Sequence, residues 1–270
     1  MNELTLVAIK AAIAGGKEIL NVYNDDDFDV QLKSDDSPLT KADKLAHESI
    51  MTFLESTGIP VLSEEGRSMS YDERKGWNQL WIVDPLDGTK EFIKRNGEFT
   101  VNIALVENGV SILGVIYVPV KKELYFSNQQ IGSYKLERVG SKTQMPENIM
   151  DLTEAGDKLP VLNEDRKFTV VGSRSHMSPE TEAFVSELKD SHGEVEVLSK
   201  GSSLKICMVA EGSADVYPRF APTMEWDTAA GHAIAVNAGF EMVRHDDKLP
   251  LQYNKEDLLN PWFIVQQKSN

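Results

Sequence analysis

The run Leu80-Trp-Ile-Val83 is wholly apolar and leads straight into Asp84-Pro-Leu-Asp87-Gly-Thr89. Such a run predicts a strand buried on both faces, which obliges the chain to cover each side of a sheet. Pro85 has no N–H to give a ladder, so the strand is expected to stop at Asp84, with Asp87-Gly88 turning the chain. Two carboxylates three positions apart across a tight turn can converge on one point. Hard oxygens at that spacing suit Mg2+, which keeps several waters and takes few carboxylates, and the Leu86 carbonyl lies between them. An ordinary Asp-Gly turn is the competing reading. An EF-hand calcium loop is excluded, because its third and twelfth positions, counted from Asp84, would be Leu86 and Arg95.

The flanking pattern supplies the covering layers. Leu4, Val7, Ala8, Ala11 and Ala12 share one face over residues 3 to 22, which predicts a helix. A second helix is expected from Thr40, with Ala42, Leu45, Ala46, Ile50, Phe53 and Leu54 on one side, ended by Gly58 and Pro60. Runs at Phe99–Val106, Ser111–Val118 and Leu124–Phe126 predict strands, with Asn108-Gly109 as a hairpin turn. Residues 141 to 165 are the most polar stretch and read as a surface excursion or a seam. Beyond them strands fit 168–172, 195–198, 214–217 and 262–266, and helices fit 179–190, 203–211 and 228–238. The expectation is an N-terminal α+β half, 1–160, carrying most metal ligands, and a C-terminal α/β half, 161–270, carrying substrate residues and Asp227.

Composition narrows the function. The longest apolar run, Val110 to Val120, is about half of a bilayer span, and the N-terminus lacks the pattern of a secretory signal. Cys207 is the only cysteine, which excludes an internal disulfide and suits a reducing compartment; the cytoplasm is expected, with a peripheral position at the inner face of the cell membrane left open. A net charge of −15 excludes nucleic-acid polymers as partners. It equally disfavours a small anion, unless metals or a local cationic cluster reverse the sign. Zinc hydrolase chemistry lacks its H-E-x-x-H, and Asp84 and Asp87 are too close to flank a glycosidic bond.

Asp84–Thr89, Trp226-Asp-Thr-Ala-Ala-Gly231, Glu64-Glu65 and the SPLTKAD segment ending at Asp43 together resemble the inositol-monophosphatase superfamily of Mg2+-dependent, Li+-sensitive phosphatases. The resemblance spans essentially the whole chain and is nearest the 3'(2'),5'-bisphosphate nucleotidase branch. It implies a layered αβαβα sandwich and two or three Mg2+ per site. By it, Glu64, Asp84 and the Leu86 carbonyl hold one ion, Asp84, Asp87 and Asp227 hold another, and Glu64 reaches a third through water. Asp43 and Thr89 orient the attacking water. Glu64, Leu86, Asp87, Gly88, Thr89 and Asp227 surround the substrate phosphate, and His176, Ser202, Lys205 and Arg219 contact the nucleotide. Li+ inhibition is implied likewise.

The residues themselves leave other roles open. Thr40-Lys-Ala-Asp43 is a good capping box, and Asp227 reads as an N-cap before its helix. Lys205 lies in the first turn of a helix opened by Gly201-Ser-Ser203, where a cation opposes the dipole; an anion pocket and a solvated lysine both fit. Arg219 can fork onto a phosphate or pair with an acid, and Ser203 and Arg174 compete with Ser202 and His176 as contacts. The resemblance implies hydrolysis of adenosine 3',5'-bisphosphate to AMP and phosphate, by a monomer or homodimer. An inositol or sugar monophosphatase shares every ligand; a non-catalytic Mg2+-binding regulatory protein is the alternative of another class.

Overall fold

The computed structural model describes residues 1–25, 31–32, 38–140, 142–143, 146–161, 163, 165–173 and 178–268. Helix α1 (Asn2–Tyr23) is followed by a ribbon of β1 (Gln31–Leu32) and β2 (Pro38–Leu39), then by α2 (Lys41–Leu54), which lies against α1. A seven-stranded sheet comes next, in spatial order β3 (Val61–Ser63), β4 (Gln79–Asp87), β5 (Thr100–Glu107), β6 (Val110–Val118), β7 (Glu123–Asn128), β8 (Gly132–Leu136) and β9 (Asp157–Lys158). Only β3 and β4 run parallel. Short helices α3 (Tyr71–Arg74), α4 (Thr89–Ile93) and α5 (Ile149–Ala155) sit in the connections.

The rest of the chain builds β10 (Phe168–Ser173), α6 (Pro179–His192), β11 (Val195–Lys200), α7 (Leu204–Glu211), β12 (Val216–Arg219), α8 (Glu225–Asn237), β13 (Phe240–Arg244) and β14 (Phe263–Gln267). Its five strands pair in the order β11-β10-β12-β14-β13. Five layers result. Helices α1 and α2 cover one face of the large sheet, α7 and α8 lie between the sheets, and α6 covers the far face of the smaller one. The αβαβα sandwich implied by the motifs is the fold observed.

Alternation along the strands explains the layering. Trp81, Val83, Val101, Ile103 and Leu105 join the core under α1 and α2, while Leu80, Ile82, Ala104 and Val106 join the core under α7 and α8. A sheet covered on both faces reads as a continuous apolar run, which is why these strands were legible. Helix α8 approaches so closely that a Cβ on Gly114 would stand 2.1 Å from the Ala230 carbonyl oxygen. Glycine is the one residue that admits that crossing.

The polar stretch 141–165 is less of an excursion than its composition suggests. Its α5 buries Ile149 and Leu152, and β9 forms the far edge of the large sheet. Strands β3, β8 and β13 were not expected from the sequence. Asn108-Gly109 makes the turn between β5 and β6 with positive φ at both residues.

Candidate active site

Strand β4 does not stop at Asp84. It continues to Asp87 through a bulge, since Asp84 pairs with Asn102 while Asp87 pairs with Thr100. Three steps on one strand thus oppose two on the other. The extra residue absorbs Pro85, whose missing N–H a bulge tolerates. In a regular strand, residues three apart point to opposite faces; the bulge brings Asp84 and Asp87 to the same side. Gly88, with φ of +95°, then caps α4, and Thr89 opens it.

Asp227 arrives from the other half. The expected helix start at 228 is three residues late: α8 begins at Glu225, so Asp227 lies inside its first turn rather than at an N-cap. The reason is remote in sequence. The Glu225 carboxylate is fully buried and accepts the N–H groups of Asn254 and Lys255 at 2.6 and 3.0 Å, together with the Lys255 ammonium at 2.6 Å. Arg74 fastens the same loop through the carbonyls of Lys255 and Glu256.

One carboxylate oxygen each from Asp84, Asp87 and Asp227 lies within 4.8 Å of the others. Each of the three is anchored through one carboxylate oxygen. Asp84 Oδ1 accepts the Leu86 N–H at 3.0 Å, Asp87 Oδ2 the Ser203 N–H at 2.6 Å, and Asp227 Oδ2 the Met224 N–H at 2.8 Å. Among the described residues, no lysine or arginine forms an ion pair with these three. Burial, and then the charge of Glu64 ahead of Asp87, Asp227 and Asp43, pushes the Asp84 pKa far up. Burial and Asp87 push Asp227 up to about 8. A group of hard oxygen donors with repulsion left uncompensated fits Mg2+. Glu64 stands outside this tight group, at the end of β3 where its N–H donates to the Val83 carbonyl at 3.1 Å.

Asp43 performs the capping role and remains beside the cluster. Its Oδ2 accepts the Thr40 N–H at 2.7 Å and the Thr40 hydroxyl at 2.6 Å, while the Thr89 hydroxyl reaches its Oδ1 at 3.3 Å. That hydroxyl also lies 3.4 Å from the Leu86 carbonyl oxygen.

Asp87 and Asp227 of this cluster line a pocket of about 310 Å³ together with Gly88, Ser202, Ser203, Lys205, Tyr217 and Arg219. Lys205 is not solvated: it is 7% exposed, with Nζ donating to the Ser202 carbonyl at 2.8 Å. Burial lowers its pKa to about 8, opposed by Asp87 and reinforced by Arg219. Ser202 has φ of +45° and a buried hydroxyl with no partner. Arg219 pairs with no acid among the described residues; it donates to the Pro222 carbonyl at 2.9 Å and keeps a buried, unpartnered Nε. Arg174 and His176 lie outside the described residues.

Several lining groups escaped the sequence reading. Lys90, Glu91, Lys200 and Tyr217 carry no motif signal. Asn102, which lies behind the pocket against Ser203, did offer one, as an amide in the middle of an apolar strand.

Comparison with known proteins agrees with this geometry. The model of the inositol monophosphatase family matches residues 1–269. The 3'(2'),5'-bisphosphate nucleotidase CysQ of Salmonella typhimurium is 45% identical over 253 residues, covering 93% of this chain and 94% of the relative. The protein of that name from Escherichia coli K12 is 45% identical over 254 residues, with the same coverage. The crystal structure of CysQ from Bacteroides thetaiotaomicron has a TM-score of 0.92 and 56% identity, over 100% of this chain and 99% of that one. SuhB of Bartonella henselae, at 23% identity and a TM-score of 0.72 over 98% of this chain and 94% of that one, shares the fold. Sequence and architecture agree, and the chain belongs to the inositol monophosphatase family.

Proposed function

We propose that this chain is a 3'(2'),5'-bisphosphate nucleotidase that removes the 3'-phosphate of adenosine 3',5'-bisphosphate, giving AMP and inorganic phosphate. The observation that carries the reading is that one pocket is lined both by the carboxylates of Asp87 and Asp227 and by the cations Lys205 and Arg219. A substrate with two phosphates suits both sets, and the cations explain how a chain of charge −15 accepts an anion.

Two or three Mg2+ ions would be held by Glu64, Asp84, the Leu86 carbonyl, Asp87 and Asp227. When bound they supply charge neutralisation and activation of water for in-line displacement. The chain's own groups then do the following. The Thr89 hydroxyl donates a hydrogen bond to Asp43, which leaves its lone pair to accept a hydrogen bond from the attacking water. That contact aims the water at phosphorus and opens a path for its proton toward Asp43. Gly88 lets the backbone approach the phosphate. Ser202, Lys205 and Arg219 hold the 5'-phosphate, and the family resemblance gives His176 a contact with the base or ribose. The 1–160 half carries most metal ligands, the 161–270 half the substrate contacts.

By the family resemblance, Li+ inhibits by competing for one metal position. The enzyme works in the cytoplasm, a reading that rests on the single cysteine, Cys207, buried and unpaired. All assigned residues come from one chain, as a monomer or within a homodimer. No helix among the described residues is long and apolar enough to cross a membrane.

Phosphate release from adenosine 3',5'-bisphosphate and from inositol 1-phosphate, compared at equal Mg2+, tests the assignment. A tenfold or greater preference in kcat/KM for the nucleotide is expected, equivalent to about 1.4 kcal/mol. A preference for the inositol ester overturns it.

A further inference from the structure

Asp87 is gripped from outside its own strand. The N–H and the hydroxyl of Ser203 reach its Oδ2 at 2.6 and 2.7 Å. The same hydroxyl lies 2.8 Å from the Asp227 carbonyl oxygen and receives an N–H of Asn102 at 2.9 Å. The Thr100 hydroxyl in turn donates to the side-chain oxygen Oδ1 of Asn102 at 2.9 Å. Ser203 and Asn102 are 3% and 1% exposed, so bulk water does not stand in for either contact. On the other side of the turn, the Gly201 N–H donates to Glu98 Oε2 at 2.9 Å. Ser202, between these two clamps, holds a left-handed φ of +45°.

We propose that Ser203, backed by Asn102, is a positioning residue that fixes the orientation of Asp87 for metal binding and links it to the turn carrying Ser202 and Lys205. The proposal rests on the reading of Asp87 as a Mg2+ ligand. A carboxylate placed beside Asp84 and Asp227 turns away from their charge unless something holds it. Ser203 holds one oxygen and leaves the other for the metal. Because the same turn presents Ser202 and Lys205 to the pocket, a nucleotide that steadies the turn also steadies Asp87. Metal and nucleotide affinities are therefore interdependent, and reciprocally so.

Calorimetric titration of Mg2+ into the wild-type chain, Ser203→Ala and Asp87→Asn, each with and without AMP, tests this without turnover. Ser203→Ala keeps the backbone N–H on Asp87 and removes only the hydroxyl, so it is expected to weaken Mg2+ binding by about tenfold, the lower end of the effect of losing a partner of a metal ligand. It should also shrink the tightening that AMP produces in the wild type. In steady state, its half-saturating Mg2+ rises while kcat at saturating Mg2+ stays within about threefold. If Ser203→Ala binds Mg2+ like the wild type while Asp87→Asn does not, the positioning role falls alone. Wild-type affinity in Asp87→Asn removes the ligand reading beneath it. An AMP effect as large in Ser203→Ala as in the wild type breaks the link to the turn. Should Ser203→Ala fail to fold, Ser203→Cys, which keeps nearly the same volume with only a weak donor, carries the same expectations.

Discussion

The Thr89 hydroxyl reaches Asp43 Oδ1 at 3.3 Å across 46 positions of sequence. The contact joins the first turn of α2 to the first turn of α4, beside the acidic cluster. On the proposed mechanism Thr89→Ala removes the group that aims the water and should lower kcat by about a hundredfold or more, within the range of positioned proton-transfer groups. Thr89→Ser keeps the hydroxyl and should stay close to wild type. Steady-state rates at saturating Mg2+ check both.

The buried repulsion within the cluster makes an opposite prediction for stability. Asp84→Asn keeps an oxygen for the Leu86 N–H and discards the charge that its neighbours oppose. In EDTA the variant should melt higher than the wild type, by about 2–4 °C for each kcal/mol of repulsion relieved. In Mg2+ the order reverses, because the wild type alone is stabilised by the ion. Thermal scans in the two buffers check it.

His232, on α8, is buried with Nδ1 2.8 Å from the Tyr253 hydroxyl, and burial lowers its pKa to about 4 from 6.5. The unfolded chain therefore binds a proton that the folded chain refuses. The stability tied to neutral His232 is complete above pH 6.5 and is lost as pH falls toward 4. The depression from 6.5 to about 4 corresponds to about 3 kcal/mol. His232→Gln, which leaves Tyr253 a polar neighbour, should flatten that part of the profile. Denaturant midpoints between pH 4 and 7 show whether it does.

Gly114 tests how the middle layer seats Asp227. A methyl group there meets the Ala230 carbonyl, a backbone atom that cannot swing away. Gly114→Ala should cost about 3 kcal/mol or more and displace α8, weakening Mg2+ binding as well. Denaturant unfolding and a Mg2+ titration of the same sample check both effects.

What the sequence disclosed follows from the range of each interaction. The helical stripes of α1 and α2, the apolar runs of β4 to β6 and the Asn108-Gly109 turn are local patterns, and each appears where its pattern stands. The start of α8 was misjudged because Asn254 and Lys255, about thirty residues away, complete it. The bulge in β4 was hidden because Pro85 reads as a strand terminator unless the pairing of Asp87 with Thr100 is known. In the site, the acidic motifs named Asp84, Asp87 and Asp227, and the capping box already held Asp43. Ser203 looked like a competitor of Ser202 for substrate. Its grip on Asp87 became visible only when the two halves met.

The removal of a defined phosphate offers the most direct test of function. The purified chain, incubated with Mg2+ and adenosine 3',5'-bisphosphate, can be followed by phosphorus NMR. Accumulation of 5'-AMP and inorganic phosphate in equal amounts, stopped by EDTA, is the expected result. Adenosine 3'-phosphate as the product, or no turnover with Mg2+ present, would contradict it.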